Sequence, residues 1–230
     1  MLTRMKVFPT CLFAPNGTEA YIERRTISGG TALSGDETLI GTDGGGRVAA
    51  EFEDFDLDDP EIARAWDAID AYMDGGLRAM IVPLCDAVHQ PAFNYAGTPH
   101  SDGTPFSDET LYQTPGTAVT LAADAALRAT LIQIDIAALN GNPLGWFSID
   151  HDAWRHRCYK VAEILEQTQT TATISIRPPL REAAAAGATL DFASPRCVMR
   201  IEGDMRAPRT MGFAEGQPIR FVEDMTGSYA

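Results

Sequence analysis

The stretch Thr171 to Gly203, TATISIRPPLREAAAAGATLDFASPRCVMRIEG, decides the class of this chain. At period two, Ala172, Ile174 and Ile176 point one way and Thr171, Thr173, Ser175 and Arg177 the other, the pattern of a half-buried strand. Pro178 and Pro179 lack the N–H a ladder needs and end that run. Gly187 opens a second run with Leu190 and Phe192 facing inward, Ser194-Pro195 closes it, and Val198, Met199 and Ile201 begin a third. The layout predicts a small antiparallel β-module whose side chains are committed to packing.

Working outward, the same periodicity predicts strands at Val119 to Leu121, Leu127 to Ile136, Trp146 to Ile149 and Arg157 to Leu165, with Asn140-Gly141-Asn142-Pro143 as a turn. Towards the N-terminus, short strands are expected at Val7 and Phe8, Ala20 to Arg25, Thr38 to Ile40 and Arg47 to Phe55. The glycines between Ser28 and Gly46 mark tight turns or a loop. In the strand after them Val48, Ala50, Phe52 and Asp54 share one face, and Glu51, Glu53 and Phe55 the other. One helix stands out, from Pro60 to Met73. Asp59 can cap it, Pro60 suits its first position, Gly75 suits the turn that ends it, and Ile62, Ala65, Trp66, Ile69 and Met73 form a buried stripe. Arg78 to Leu84 then reads as a returning strand, and Met211 to Phe213 and Pro218 to Val222 as late ones. The proline-rich passage Asp86 to Gly116 carries few signs of regular structure, which places a boundary near residue 92.

The expected fold is therefore mainly β with one main α-helix. A chain of 230 residues can bury roughly 70–75% of its unfolded surface. Its net charge of −14 disfavours a protein that grips nucleic-acid phosphates. No apolar run approaches a membrane-spanning length, and Pro9 and Pro15 interrupt the start before a signal-peptide core could form, so a cytoplasmic site of synthesis is expected. The four cysteines, Cys11, Cys85, Cys158 and Cys197, are scattered and read as buried free thiols of a reducing compartment.

Candidate chemistry is sparse. Cys85, His89 and His100 could be weighed as metal ligands, but their spacing fits no zinc pattern and Pro83 and Pro91 oppose a helix there. Gly44-Gly45-Gly46 lacks the Gly-Lys-Ser/Thr of a phosphate loop. The cluster Asp150-His151-Asp152-Ala153-Trp154-Arg155-His156 could hold a general base, yet no nucleophile motif accompanies it, and a polar hairpin tip explains it. The acidic run Glu51, Glu53, Asp54, Asp56, Asp58 and Asp59 offers carboxylates without singling out a hydrolytic pair, and reads as a solvated or lumen-facing edge plus a helix cap. Trp146, Trp154 and Tyr159 are the aromatics a saccharide-binding surface could use, with Trp154 the better placed. No catalytic, cofactor-binding or metal residue is assigned.

Four segments resemble the distal tail proteins of long-tailed bacteriophages, the Dit family, in particular its small versions in phages and prophages of alphaproteobacteria. They are Ser28-Gly29-Gly30-Thr31 ahead of Gly45-Gly46-Arg47; the helix with Ala65-Trp66 and Gly75-Gly76 leading into RAMIVPLCD; Gly145-Trp146-Phe147-Ser148-Ile149 followed by Arg157-Cys158-Tyr159-Lys160-Val161; and ISIRPPLREAAAAGATLDFASPRCVMRI. They are scattered in pieces between Ser28 and Ile201. Val48 stands where the family often has an aromatic, and Asp86 to Gly116 shows no assignable pattern.

The resemblance implies a structural virion protein without enzymatic activity. It would form a ring, usually a homohexamer, at the distal end of a siphophage tail tube, assembled in the host cytoplasm and carried in the virion at the tail tip. Residues 1–91 with 206–230 would form a tail-tube-like β-sandwich or barrel ring domain, and residues 92–205 an outer antiparallel β-module. The implied partners are sister copies, the tail-tube protein, the hub, tail-tip and fibre proteins of the baseplate and the tape-measure protein. DNA would pass through the lumen without specific binding, no cofactor would be needed, and there would be no membrane insertion. Alternatives from other classes are a host saccharide-binding module, another minor tail-tip protein and, ranked last, a cell-wall hydrolase.

Overall fold

A computed structural model describes residues 5–41, 44–84, 91–93, 97–98, 102–104, 106–108, 112–113, 119–210 and 213–227. The chain is mainly β with one main helix. A five-stranded antiparallel sheet is ordered Gly17–Glu23, Arg47–Glu53, Ile219–Glu223, Arg196–Ile201, Met80–Pro83. A six-stranded sheet is ordered Trp146–His151, Arg155–Gln167, Thr171–Arg177, Leu131–Asp135, Val119–Leu121, Thr189–Leu190.

The second sheet curls into a nearly closed barrel. Ser148, in its first strand, exchanges backbone hydrogen bonds of 3.0 and 2.8 Å with Asp191, just past its last. Closing so few strands requires bending, and the long strand Arg155–Gln167 supplies it with two register shifts, between Val161 and Glu163 and between Ile164 and Glu166. The strict alternation of Thr171–Arg177 places Ala172, Ile174 and Ile176 in the barrel core with Ile134, Phe147 and Phe192.

The helix Pro60–Met73 lies on the five-stranded sheet. Asp59 caps it, accepting from the Glu61 N–H at 2.7 Å, and Pro60 occupies its first turn. Asp74 is the left-handed C-cap, at φ 50°, and Gly75 follows it in the same region at φ 61°. Trp66 is fully buried at the centre, edge-on to Phe13 and Phe55 at ring separations of 5.1 and 4.7 Å, and its indole N–H donates to the Met205 carbonyl at 3.1 Å. Ile62, Ala65 and Ile69 of the expected stripe pack at its margin, and Met73 is buried.

Three expectations change. The strand Arg196–Ile201 does not belong with the outer module ending at 205; it pairs with Met80–Pro83 and Ile219–Glu223 in the five-stranded sheet. The three runs of the 171–203 stretch therefore do not pair with one another, because alternation fixes which side chains turn inward but not which neighbour a strand finds. Phe55 is buried rather than solvent-facing: Asp54 takes φ 60° and breaks the alternation between Arg47–Glu53 and Phe55–Asp56. The glycine-rich segment is also not merely turns, since Thr26–Thr31 pairs with Glu37–Gly41 and continues the hairpin begun by Gly17–Glu23 and Arg47–Glu53. Every residue of those two distal strands is exposed.

Val7 makes a single parallel bridge to Ile81. Phe213–Gly216 pairs with Arg209–Thr210 and with Phe55–Asp56. Much of 86–116 lies outside the described residues, with Cys85, His89 and His100; within it Ala92–Phe93 pairs with Leu139–Asn140, and Gly97–Thr98 with Tyr112–Gln113. Among the described residues no helix is long and apolar enough to cross a membrane.

Candidate functional site at the junction of sheet and barrel

The hairpin Trp146–His151/Arg155–Gln167 serves two cores at once. Trp146 and Cys158 pack into the core of the five-stranded sheet, while the neighbouring positions Phe147 and Tyr159 pack inside the barrel. Alternation along one pair of strands thus joins the two units.

A buried ionic cluster completes the joint. Glu223, on the last strand of the five-stranded sheet, receives Arg181 through two bonds, from Nε at 3.0 Å and Nη2 at 2.8 Å. Arg157 Nη1 lies 3.5 Å from the same carboxylate and donates to the Asp224 carbonyl at 2.7 Å. The Val48 N–H donates to Glu223 at 3.2 Å, and Arg181 Nη2 also reaches the Gly46 carbonyl at 2.6 Å. One carboxylate of the sheet therefore holds two guanidiniums of the barrel, with charge-assisted and partly bidentate geometry. The approach is close enough to dictate glycine at the loop between the hairpin strands: a Cβ on Gly45, at φ 102°, would sit 2.2 Å from Pro179 Cδ.

Beside this cluster opens a cleft of about 470 Å³ lined by Arg24, Arg25, Arg47 and Arg181 with Glu23 and Met225. Arg47 is fixed by Glu23 at 2.6 Å, and its guanidinium holds the Glu23 carboxyl below the usual carboxylate range, assisted by Arg220. Arg220 ties Glu23, Glu51, Glu202 and the Tyr21 hydroxyl into one network across the sheet surface. In a chain of net charge −14, a cleft with four guanidiniums is a local reversal of sign. Such a surface attracts carboxylates or other anions.

The residues singled out in sequence are placed as follows. Asp150 to His156 spans the hairpin tip, but its parts diverge. His151 is buried, with Nε2 at 2.8 Å from the Tyr159 hydroxyl, whereas His156 Nε2 stands 3.9 Å from Asp150, beyond hydrogen-bond range. The Tyr159 hydroxyl accepts from the Arg181 N–H at 3.0 Å and shares its other hydrogen bond with His151 Nε2, with the imidazole tautomer setting which of the two donates. Burial pushes the His151 imidazole below its ordinary value and favours the neutral ring. Cys158 and Cys197 are fully buried free thiols; burial holds Cys158 well above its ordinary value and pushes Cys197 up to about 12. Cys11 is exposed instead.

In the acidic run, Glu51 accepts from the Tyr21 hydroxyl at 2.6 Å, Asp54 from Asn16 at 3.1 Å, Asp56 from the Asp58 N–H at 3.1 Å, and Asp59 caps the helix. Lys160 lies over the Trp146 ring at 5.3 Å and Arg157 over Trp154 at 5.0 Å, so each indole already has one face occupied by a cation. Among the described residues no three His, Cys, Asp or Glu side chains converge as metal ligands. Sequence reasoning passed over Arg157, Arg181 and Glu223. Parity was the available signal: Glu223 follows Ile219 and Phe221 on the inward face, and Arg157 precedes Tyr159 and Val161 on theirs.

These shifts set a pH profile. The folded His151 has a depressed pKa, and the unfolded chain takes up its proton near pH ~6.5, so stability falls as pH drops below that point. The two thiols have raised values, so their contribution is complete below their unfolded value of ~8.5 and is lost as pH rises beyond it. Urea unfolding across pH should give a plateau bounded by these two declines. His151→Gln should shrink the acid limb, which His156 shares, and Cys158→Ala with Cys197→Ala should shrink the alkaline one; unchanged limbs in both would refute the assignment.

No protein-family profile matches the chain, and no curated protein matches it.

Proposed function

We propose that this protein is a ring-forming structural component of a phage tail tip, of the distal tail type. The observation that carries the reading is the discontinuous build of the five-stranded sheet. Its strands come from both ends of the chain, Gly17–Glu23, Arg47–Glu53 and Met80–Pro83 from one side and Arg196–Ile201 and Ile219–Glu223 from the other, with the barrel inserted between. The four resembling segments imply a similar division, a ring domain from residues 1–91 with 206–230 and an outward β-module from 92–205, and the sheet departs from it by taking Arg196–Ile201 as well. Two further features fit. The exposed hairpin Thr26–Thr31/Glu37–Gly41 carries Ile27, Leu39 and Ile40 into solvent, as an arm that meets another molecule would. The net charge of −14 suits a channel that lets DNA slide without holding it.

In this reading the sheet unit joins sister copies and the tail-tube protein, and the barrel faces outward to hub and fibre proteins at the tip of the virion. Light scattering coupled to gel filtration, with negative-stain imaging, tests it. A ring of about six copies, or co-assembly with the tail-tube protein, is expected. A strict monomer at all concentrations that ignores the tube protein would overturn the proposal.

A further inference from the structure

We infer that the arginine cleft at the junction of sheet and barrel receives the acidic tip of the long hairpin of a second copy of this chain. The inference rests on the ring reading and names the two surfaces that would make the contact. The cleft brings Arg24, Arg25, Arg47 and Arg181 together, with Glu23 the one carboxylate among its described lining residues and the half-exposed Met225 at its edge. Arg47 and Arg181 are held in place by Glu23 and Glu223, so both guanidiniums are set before any partner arrives.

The complementary surface is the hairpin tip. Asp36 and Glu37 are exposed there beside a fully exposed Leu33. The tip is an ordered turn: Gly35 N–H donates to the Ala32 carbonyl at 2.9 Å, Ala32 N–H to the Asp36 carbonyl at 2.8 Å, and the Ser34 hydroxyl to the Asp36 carboxylate at 2.7 Å. Two carboxylates and one leucine meet a cleft whose four guanidiniums outnumber the two carboxylates that hold them, Glu23 and Glu223, and whose edge is a methionine. Methionine is an adaptable partner for an inserted aliphatic group.

Geometry makes the contact intermolecular. Arg24 and Arg25 stand at the base of the same hairpin, between Gly17–Glu23 and Thr26–Thr31. Strand Thr26–Thr31, at ~3.3 Å per residue, carries the tip on the order of 20 Å away from the base. A tip that cannot turn back on its own base must seek the base of a neighbour. Tip-to-base contact is heterologous, joining different surfaces of the two copies, and repeats around a ring when the rotation closes. Phosphates would also suit guanidiniums, but the chain's −14 charge repels a polyanion while still supplying its own carboxylates.

Charge exchange tests this. Arg24→Glu with Arg25→Glu, and separately Asp36→Arg with Glu37→Arg, alter only exposed side chains, and circular dichroism checks that each variant is folded. Each pair should raise the concentration needed for assembly by about tenfold or more, and added salt should weaken the wild-type assembly. Mixing the two variants, or combining all four changes in one chain, should restore assembly; Leu33→Ser should weaken it without changing its salt dependence. If both charge-reversed proteins assemble like the wild type, the cleft contact is wrong while the ring reading stands. A wild-type chain that stays monomeric overturns the cleft contact, and one that also ignores the tail-tube protein overturns both. Saturable single-stranded DNA binding at physiological ionic strength, abolished by Arg24→Glu with Arg25→Glu, would show that the occupant is nucleic acid and overturn the inference.

Discussion

Replacing Glu223 by alanine will destabilise the protein by about 3–5 kcal/mol, on the order of 10 °C in melting temperature for a chain of this size. The side chain is fully buried, accepts from Arg181 and the Val48 N–H, and lies 3.5 Å from the Arg157 guanidinium. Its removal strands two guanidiniums where water cannot reach them freely: the Arg157 side chain has no exposed surface and that of Arg181 only 12%. Glu223→Gln keeps the shape but loses the charge, and should be nearly as damaging. Replacing the whole cluster together, Glu223→Leu with Arg157→Met and Arg181→Leu, should recover much of the loss, because buried ion pairs often do no better than well-packed apolar groups. Urea denaturation of the three proteins decides it. A loss below about 1 kcal/mol for Glu223→Ala would mean that the cluster is solvated and the two units are held by apolar contact alone.

Trp66→Ala should rank beside it, at about 3–5 kcal/mol. The deletion opens a cavity where the helix meets the sheet, among Phe13, Phe55 and the edge of Gly216, and leaves the Met205 carbonyl without its indole donor. Trp66→Phe separates the two effects. It retains most of the volume and loses the hydrogen bond, so about 1–3 kcal/mol is expected. Hydrogen exchange should show protection lost first in the five-stranded sheet, with the barrel strands protected longer. Equal loss in both would indicate one cooperative body rather than two cores.

What was legible in the sequence was local. The cap at Asp59, Pro60 in the first turn and the Trp66 stripe specify the helix without tertiary help, and the alternation of Thr171–Arg177 specifies its inward face. Partner choice was not legible. Arg196–Ile201 is apolar enough to sit in either sheet; its place beside Met80–Pro83 depends on two segments more than a hundred residues apart in sequence. The charged centre was hidden for a different reason. Arg157 and Glu223 occupy inward positions by parity, but a charge at such a position reads as solvent-facing unless its counter-charge is known, and the counter-charges lie on different units. Asp54 was obscure because a single left-handed residue in a strand leaves no compositional mark beyond its identity.

The pairing of Arg196 opposite Pro83 gives the molecule an unusual kind of modularity. The polypeptide departs from and rejoins its sheet at adjacent points, so the barrel hangs as a detachable insert whose replacement would leave the host's ladder continuous. Connectivity therefore sets no barrier to exchanging one insert for another. The barrier is chemical: any substitute must present cations to Glu223 and an apolar cover for Cys197, or the host sheet is left with an orphaned charge and an open core. Lineages that trade such inserts should then be expected to carry the arginines along with them.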